Sequence, residues 1–412
     1  MKKVLLGTLA VLTLAACSKD EVIQQNPNDE ISFSVTTNKA VSRAADGYCN
    51  KSLPETFNVW ANVSDGSTGY KPYFSGDEYT QTATGAKTYK NTTINRYWPS
   101  EAVNFFACKN ATPAWKSDNS TLVVSNFTVN NTVTQQVDFI YATVKGATKP
   151  TDATATQPIN FRHALSQIEF MAKNLNSKIY VEISAVKVMN VYNQGTFTFP
   201  TESTNPNHKG PGEDSDPIHS GPATKGDIEN QGEWNVNTSS TDDYTASFTA
   251  VEVAYNANPS LTVTDPTNQE WNTNTMYLMP FGKNDPSTPV YIPIWDGKKK
   301  PADNKAYFQI TAKIWNVAAT TDATPGTVNK TTDLVLYDGE IAVKMPDNTV
   351  WEQGKRYVYT FVFTTDGNGG SDPSTGDPVL TPITLDVTVD DFVDGDADKD
   401  VEMTDPTPKT GE

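Results

Sequence analysis

The feature that most constrains this chain of 412 residues is a period of two. Ile31, Phe33 and Val35 alternate with Ser32, Ser34 and Thr36, so an extended backbone puts three apolar side chains on one face. Short apolar runs then recur between turn-forming clusters: Phe57 to Trp60, Val103 to Phe106, Leu122 to Val124, Asp138 to Ala142, Ile159 to Phe170, Ile179 to Ile183 and Val186 to Val188. A second series holds Thr275 to Pro280, Val290 to Trp295, Tyr307 to Trp315, Leu334 to Tyr337 and Arg356 to Phe363. None carries the 3.6 period of a long amphipathic helix. Strands with turns at this spacing predict an all-β chain built as sandwiches rather than βαβ units.

Single cores stop growing at about 250 residues, so the length predicts two sandwich domains. The expected boundaries are 44–200 and 201–364, with the Pro, Gly, Ser, Asn and Asp-rich stretch from Pro200 to Gly232 near the junction. Segment 365–412 opens with a flexible linker, Asp366 to Pro373, and then Ile383, Leu385, Val387 and Val389 line one face of a last strand. The strands at Ile31 and Ile383 are both expected to stand apart from the body, which is odd for self-sufficient sandwiches. They make sense if strands are exchanged, because a sheet that loses an edge strand exposes backbone groups and an apolar groove that another chain can fill.

The N-terminus reads as a leader. Met1-Lys2-Lys3 is basic and Val4 to Ala16 is apolar but too short to span a bilayer, so 1–16 is expected to be a signal peptide. Leu14-Ala15-Ala16-Cys17 resembles a bacterial lipobox, which implies lipidation of Cys17 by diacylglycerol and palmitate. The acidic Ser18-Lys19-Asp20-Glu21 resembles a surface-export signal. A precursor tethered in the outer membrane is the expectation, with 17–43 as a lipidated propeptide carrying a removable strand. Arginine occurs only at 43, 96, 162 and 356, and Arg43 alone lies among small and polar residues, Ser42-Arg43-Ala44-Ala45. An Arg-specific protease would cut between Arg43 and Ala44.

The net charge of −17 excludes a phosphate-binding surface and so nucleic acid, and Lys298 to Lys300 reads as a solvated turn. No G-x-S-x-G or H-E-x-x-H occurs, and His163 lies in a strand, so no enzyme is expected. Asp394 to Asp400 mimics a calcium loop but places Lys399 where the turn needs glycine, leaving no metal or cofactor expected. With Cys17 lipidated, Cys49 and Cys108 remain; in an oxidising envelope they could pair or stay free. Trp60, Trp295 and Trp315 fall in strand patterns, whereas Trp98, Trp115, Trp234 and Trp271 keep open a surface glycan-binding lipoprotein.

Taken in order, Leu14-Ala15-Ala16-Cys17, Ser42-Arg43-Ala44, Asp138 to Ala142, Phe161 to Ile168, Met276 to Pro280 and Trp351 to Tyr359 resemble the fimbrillins, subunits of the type V pili of Bacteroidia. The resemblance implies two transthyretin-like β-sandwich domains, Arg-specific processing at Arg43, and strand exchange between successive subunits of an extracellular fimbria. It makes Ile31, Phe33 and Val35 the discarded strand and Ile383, Leu385, Val387 and Val389 the donor. Its partners would be other fimbrial subunits, with host or bacterial surface ligands, in adhesion and biofilm formation. A stalk position is favoured, and an accessory or tip subunit is the alternative.

Overall fold

The computed structural model describes residues 29–37, 54–152, 155–204, 231–262, 274–282, 290–317, 328–365 and 369–391. Among them there is no α-helix, and the chain is all-β. Its first strands are β1 (Phe33–Thr37), β2 (Thr56–Ser64), β3 (Tyr70–Gln81), β4 (Thr88–Lys90), β5 (Val103–Lys109), β6 (Ala114–Trp115), β7 (Leu122–Thr128), β8 (Ile140–Ala147) and β9 (Gln157–His163). Seven of these close into a barrel in the order β1-β4-β3-β2-β5-β8-β9.

The barrel follows from side-chain alternation. On β5, Val103, Phe105 and Ala107 face the interior with Phe33, Phe57, Val59 and Tyr79, while Phe106 and Cys108 belong to a second core outside the wall. Because both faces are covered, β5 is apolar along nearly its whole length instead of alternating with polar residues.

The chain continues through β10 (Ser166–Asn174), β11 (Ile179–Tyr192), β12 (Gln194–Thr198), β13 (Glu233–Val236), β14 (Thr241–Val253), β15 (Met276–Leu278), β16 (Tyr307–Asn316), β17 (Val335–Val343), β18 (Lys355–Phe363), β19 (Gly369–Ser371) and β20 (Pro378–Asp391). A four-stranded sheet, β13-β12-β7-β6, covers the outer face of the barrel wall. There the Phe106 ring meets Phe199 at 6.2 Å and Trp115 at 5.6 Å, and Phe197 packs 4.7 Å from Tyr141. The other nine strands form one sheet, β14-β11-β16-β17-β19-β20-β18-β10-β15. It doubles back on itself, since Phe308 of β16 lies 5.3 Å from Phe170 of β10 and 4.7 Å from Tyr359 of β18.

Two features differ from expectation. The end strands do not stand apart: β1 is paired on both edges, and β20 pairs with β18 from Phe363↔Ile383 to Lys355↔Asp391. Strands with unsatisfied N–H and C=O groups and an apolar face gain by docking on any available edge. In addition, residue 200 is not where sheet partners change. β10 and β11 lie upstream of it yet pair with β18, β15, β14 and β16 downstream.

Candidate functional site

The seat of β1 is the first element of the site. β1 runs parallel to β9, from Phe33↔Gln157 to Thr37↔Phe161, and antiparallel to β4 at Phe33↔Tyr89. Its flank is stitched down as well: the Ile31 N–H donates to the Arg96 carbonyl at 2.7 Å, the Trp98 N–H to the Asp29 carbonyl at 2.9 Å, and the Gln157 N–H to the Ser32 carbonyl at 2.8 Å. Ile31, Phe33 and Val35 are 0%, 0% and 1% exposed. Burial of an apolar side chain of this size contributes about 1.5–3 kcal/mol.

Phe33 occupies an aromatic cage. Its ring is edge-on to Tyr79 at 4.8 Å, Phe105 at 5.2 Å and Phe57 at 6.3 Å. Burial raises the Tyr79 hydroxyl pKa above its ordinary value. Arg96 seals the neighbouring wall, with Nε donating to Asp77 Oδ2 at 2.5 Å and the guanidinium 5.2 Å from the Phe74 ring. The hydrogen bond to Asp77 is the main reason that the Arg96 pKa is raised. Lys149 with Asp29 (2.5 Å) and Lys90 with Glu30 (3.9 Å) tie the flank to the surface, where such pairs contribute little.

The donor candidate sits differently. Along β20, Ile383 is 4% exposed and Leu385 half-buried, but Val387 and Val389 are 37% and 51% exposed. Past its short pairing with β19 at residues 378–382, β20 has a ladder partner only on its β18 side among the described residues, so 383–391 forms an edge.

Four of the motif segments converge where the barrel wall meets the nine-stranded sheet. The Ala164 N–H donates to the Phe139 carbonyl at 2.8 Å, and Trp234 Nε1–H donates to the Ala164 carbonyl at 2.7 Å. Tyr141 donates to Gln353 Oε1 at 3.3 Å, Ser166 Oγ donates to the Glu352 carbonyl at 2.9 Å, and the Gly354 N–H donates to the Leu165 carbonyl at 2.9 Å. Met276, Tyr277 and Leu278 pair with Ile168, Gln167 and Ser166. At the centre Glu169, fully buried, takes two guanidinium hydrogen bonds from Arg356 at 3.0 and 2.8 Å, with Gln167 and Thr275 donating to its other oxygen. His163 pairs with Asp138 at 2.7 Å and serves the same junction, a structural role.

Among the remaining expected sites, Cys17, Arg43, Ala44, Cys49, Trp271 and the acidic run 394–400 lie outside the described residues. Cys108 is a free thiol in the outer core, its Sγ–H directed to the Ala111 carbonyl at 3.5 Å, and burial pushes its pKa up to about 12. Trp234 is buried, Trp115 donates to Ser75 Oγ at 2.8 Å, and Trp98 packs on Phe105 at 5.5 Å, so no tryptophan among the described residues offers an exposed stacking platform. Trp98, Trp115 and Trp234 are thereby assigned to packing.

Sequence reasoning missed the cage residues Phe57, Tyr79 and Phe105, and the Glu169–Arg356 pair. A signal for the latter was present in Glu169, a charge set between the apolar Ile168 and Phe170 of a strand run.

The described residues form an all-β fold whose first strand closes a barrel and whose last strand lies half covered at a sheet edge. Residues 42–290, more than half the chain, match the family described as Fimbrillin-like, and the chain belongs to it. It is a structural subunit of a cell-surface, extracellular fimbrium that assembles with other fimbrial subunits, and not an enzyme. Among solved structures it is similar to a fimbrial protein from Bacteroides vulgatus, with 15% identity, a TM-score of 0.47 and coverage of 88% of this chain and 99% of the other. It is also similar to the tip fimbrial protein Mfa3 from Porphyromonas gingivalis, solved with a C-terminal truncation, at 10% identity, TM-score 0.34 and coverage of 88% and 99%. No curated protein matches the chain.

Proposed function

We propose that this subunit is exported as a lipoprotein acylated at Cys17, cut between Arg43 and Ala44 by an Arg-specific protease, and polymerised by donor-strand exchange. In this reading the cut frees the segment that carries β1, and a C-terminal strand of a neighbouring subunit takes its place. The lipid is a temporary tether to the outer membrane, and the mature subunit is held by its neighbours. The fimbria so built supports adhesion to host or bacterial surfaces and biofilm formation.

The observation that carries this reading is the contrast between the ends: β1 closes the barrel and, with Ile31 just before it, buries three apolar side chains, whereas β20 leaves Val387 and Val389 exposed. Withdrawing β1 would leave the edges of β4 and β9 unpaired beside an apolar groove, which calls for a replacement strand. The other arginines support the choice of Arg43. Arg96 is bound to Asp77, Arg356 to Glu169, and Arg162 lies within β9, so a protease would have to disrupt these contacts or unfold a strand to reach them.

The test is to treat the purified precursor with an Arg-specific protease and to look for ladders that survive mild heating in detergent. Ladders that disappear in Arg43→Gln and on deletion of 383–391 support the proposal. A protein that is cut at Arg43 and stays monomeric would overturn it.

A further inference from the structure

We propose that the groove under β1 selects a donor strand with an aromatic side chain at its centre, supplied by a different subunit, and that a second copy of this chain is the weaker donor. This inference rests on the strand-exchange reading. The segment that leads into and forms β1 places an aliphatic, an aromatic and an aliphatic in successive buried seats: Ile31, Phe33 and Val35. The central seat is shaped for a ring, with edge-to-face contacts at 78° to Tyr79, 88° to Phe105 and 65° to Phe57. The cage side chains come from β2, β3 and β5, which pair with one another independently of β1. The cage therefore keeps its width when the strand changes.

The aliphatic face of β20 offers Ile383, Leu385, Val387 and Val389. Whichever three successive residues fill the three seats, the central one receives Leu385 or Val387. Neither fills the volume of a phenyl ring, and neither supplies the positive ring edge that the surrounding π faces attract. Phe392 is the one aromatic residue after residue 365 in the sequence, but it is out of phase with this row. Setting it in the central seat would send Asp390 and Asp394 into the two flanking aliphatic seats, a burial of unpaired carboxylates that outweighs any gain from the ring.

The experiment uses the full precursor cut after Arg43 and four labelled peptides: 29–37, 378–391, and 378–391 carrying either Leu385→Phe or Val387→Phe. Dissociation from the cut protein is followed by fluorescence anisotropy after dilution. At least one phenylalanine variant is expected to stay bound about tenfold longer than native 378–391, as befits recovered edge-to-face contacts. Native 378–391 leaving as slowly as both variants would overturn the aromatic preference while leaving strand exchange intact. If 29–37 and all forms of 378–391 fail to bind, strand exchange itself fails and the preference with it.

Discussion

β1 and β20 are both alternating strands at the ends of the chain, and they are held in opposite ways. β1 has partners on both edges and, with Ile31 just before it, three buried apolar side chains, whereas β20 has one long partner and a face that grows more exposed from Ile383 to Val389. The sequence pattern is the same in both. What differs is the surface each strand meets: a closed aromatic interior for β1 and the outer side of β18 for β20. Under the proposed strand exchange, the strand to be removed by proteolysis would be the better packed of the two and the donor the less committed, as exchange without a large kinetic penalty requires.

That comparison can be broken at several points. The largest effect is expected from Phe33→Ala in the uncut precursor, which should lose about 3–5 kcal/mol of stability in urea titration, since it empties the cage. A loss under 1 kcal/mol would mean that β1 closes the barrel through its backbone alone. Next, Glu169→Ala should destabilise the sheet that carries β20 by about 3 kcal/mol, because Arg356 on β18 then loses its buried carboxylate. Glu169→Gln should recover part of that loss.

Within β20 the gradient of exposure itself is testable. Ile383→Ala should cost about 2 kcal/mol and Val389→Ala less than about 0.5 kcal/mol, measured by the same titration. Equal costs would show that the strand is uniformly committed to its own subunit. The barrel wall behind β1 offers a smaller, pH-dependent effect through Cys108. Its folded pKa is raised from the ordinary thiol value of 9.0 to about 12, so above pH 9 the unfolded chain releases the proton and the folded one keeps it. Stability from this group is intact below the unfolded value and falls as pH rises, by about 1 kcal/mol between about pH 9 and 10. Cys108→Ala should flatten that part of the slope.

Much of this was legible in the residues. The alternation at Ile31, Phe33 and Val35 and at Ile383 to Val389 was local, so both strands and their apolar faces could be read directly, though only the first of those faces is fully buried. The cage around Phe33 could not, because Phe57, Tyr79 and Phe105 lie on three other strands whose registers are set by distant pairings. The place where sheet partners change was hidden for the same reason. β10 and β11 look like continuations of the strands before them and are claimed by β14, β15, β16 and β18 only when the chain folds.

The sequence by itself determined that the chain is all-β, acidic and free of catalytic motifs, and which faces of its strands seek burial, since periodicity and charge act over a few residues. Only the tertiary structure decided that the first strand closes a barrel, that the last one lies half uncovered, and that Glu169 meets Arg356. Strand pairing is non-local, and no period along one strand names the edge on which it will dock.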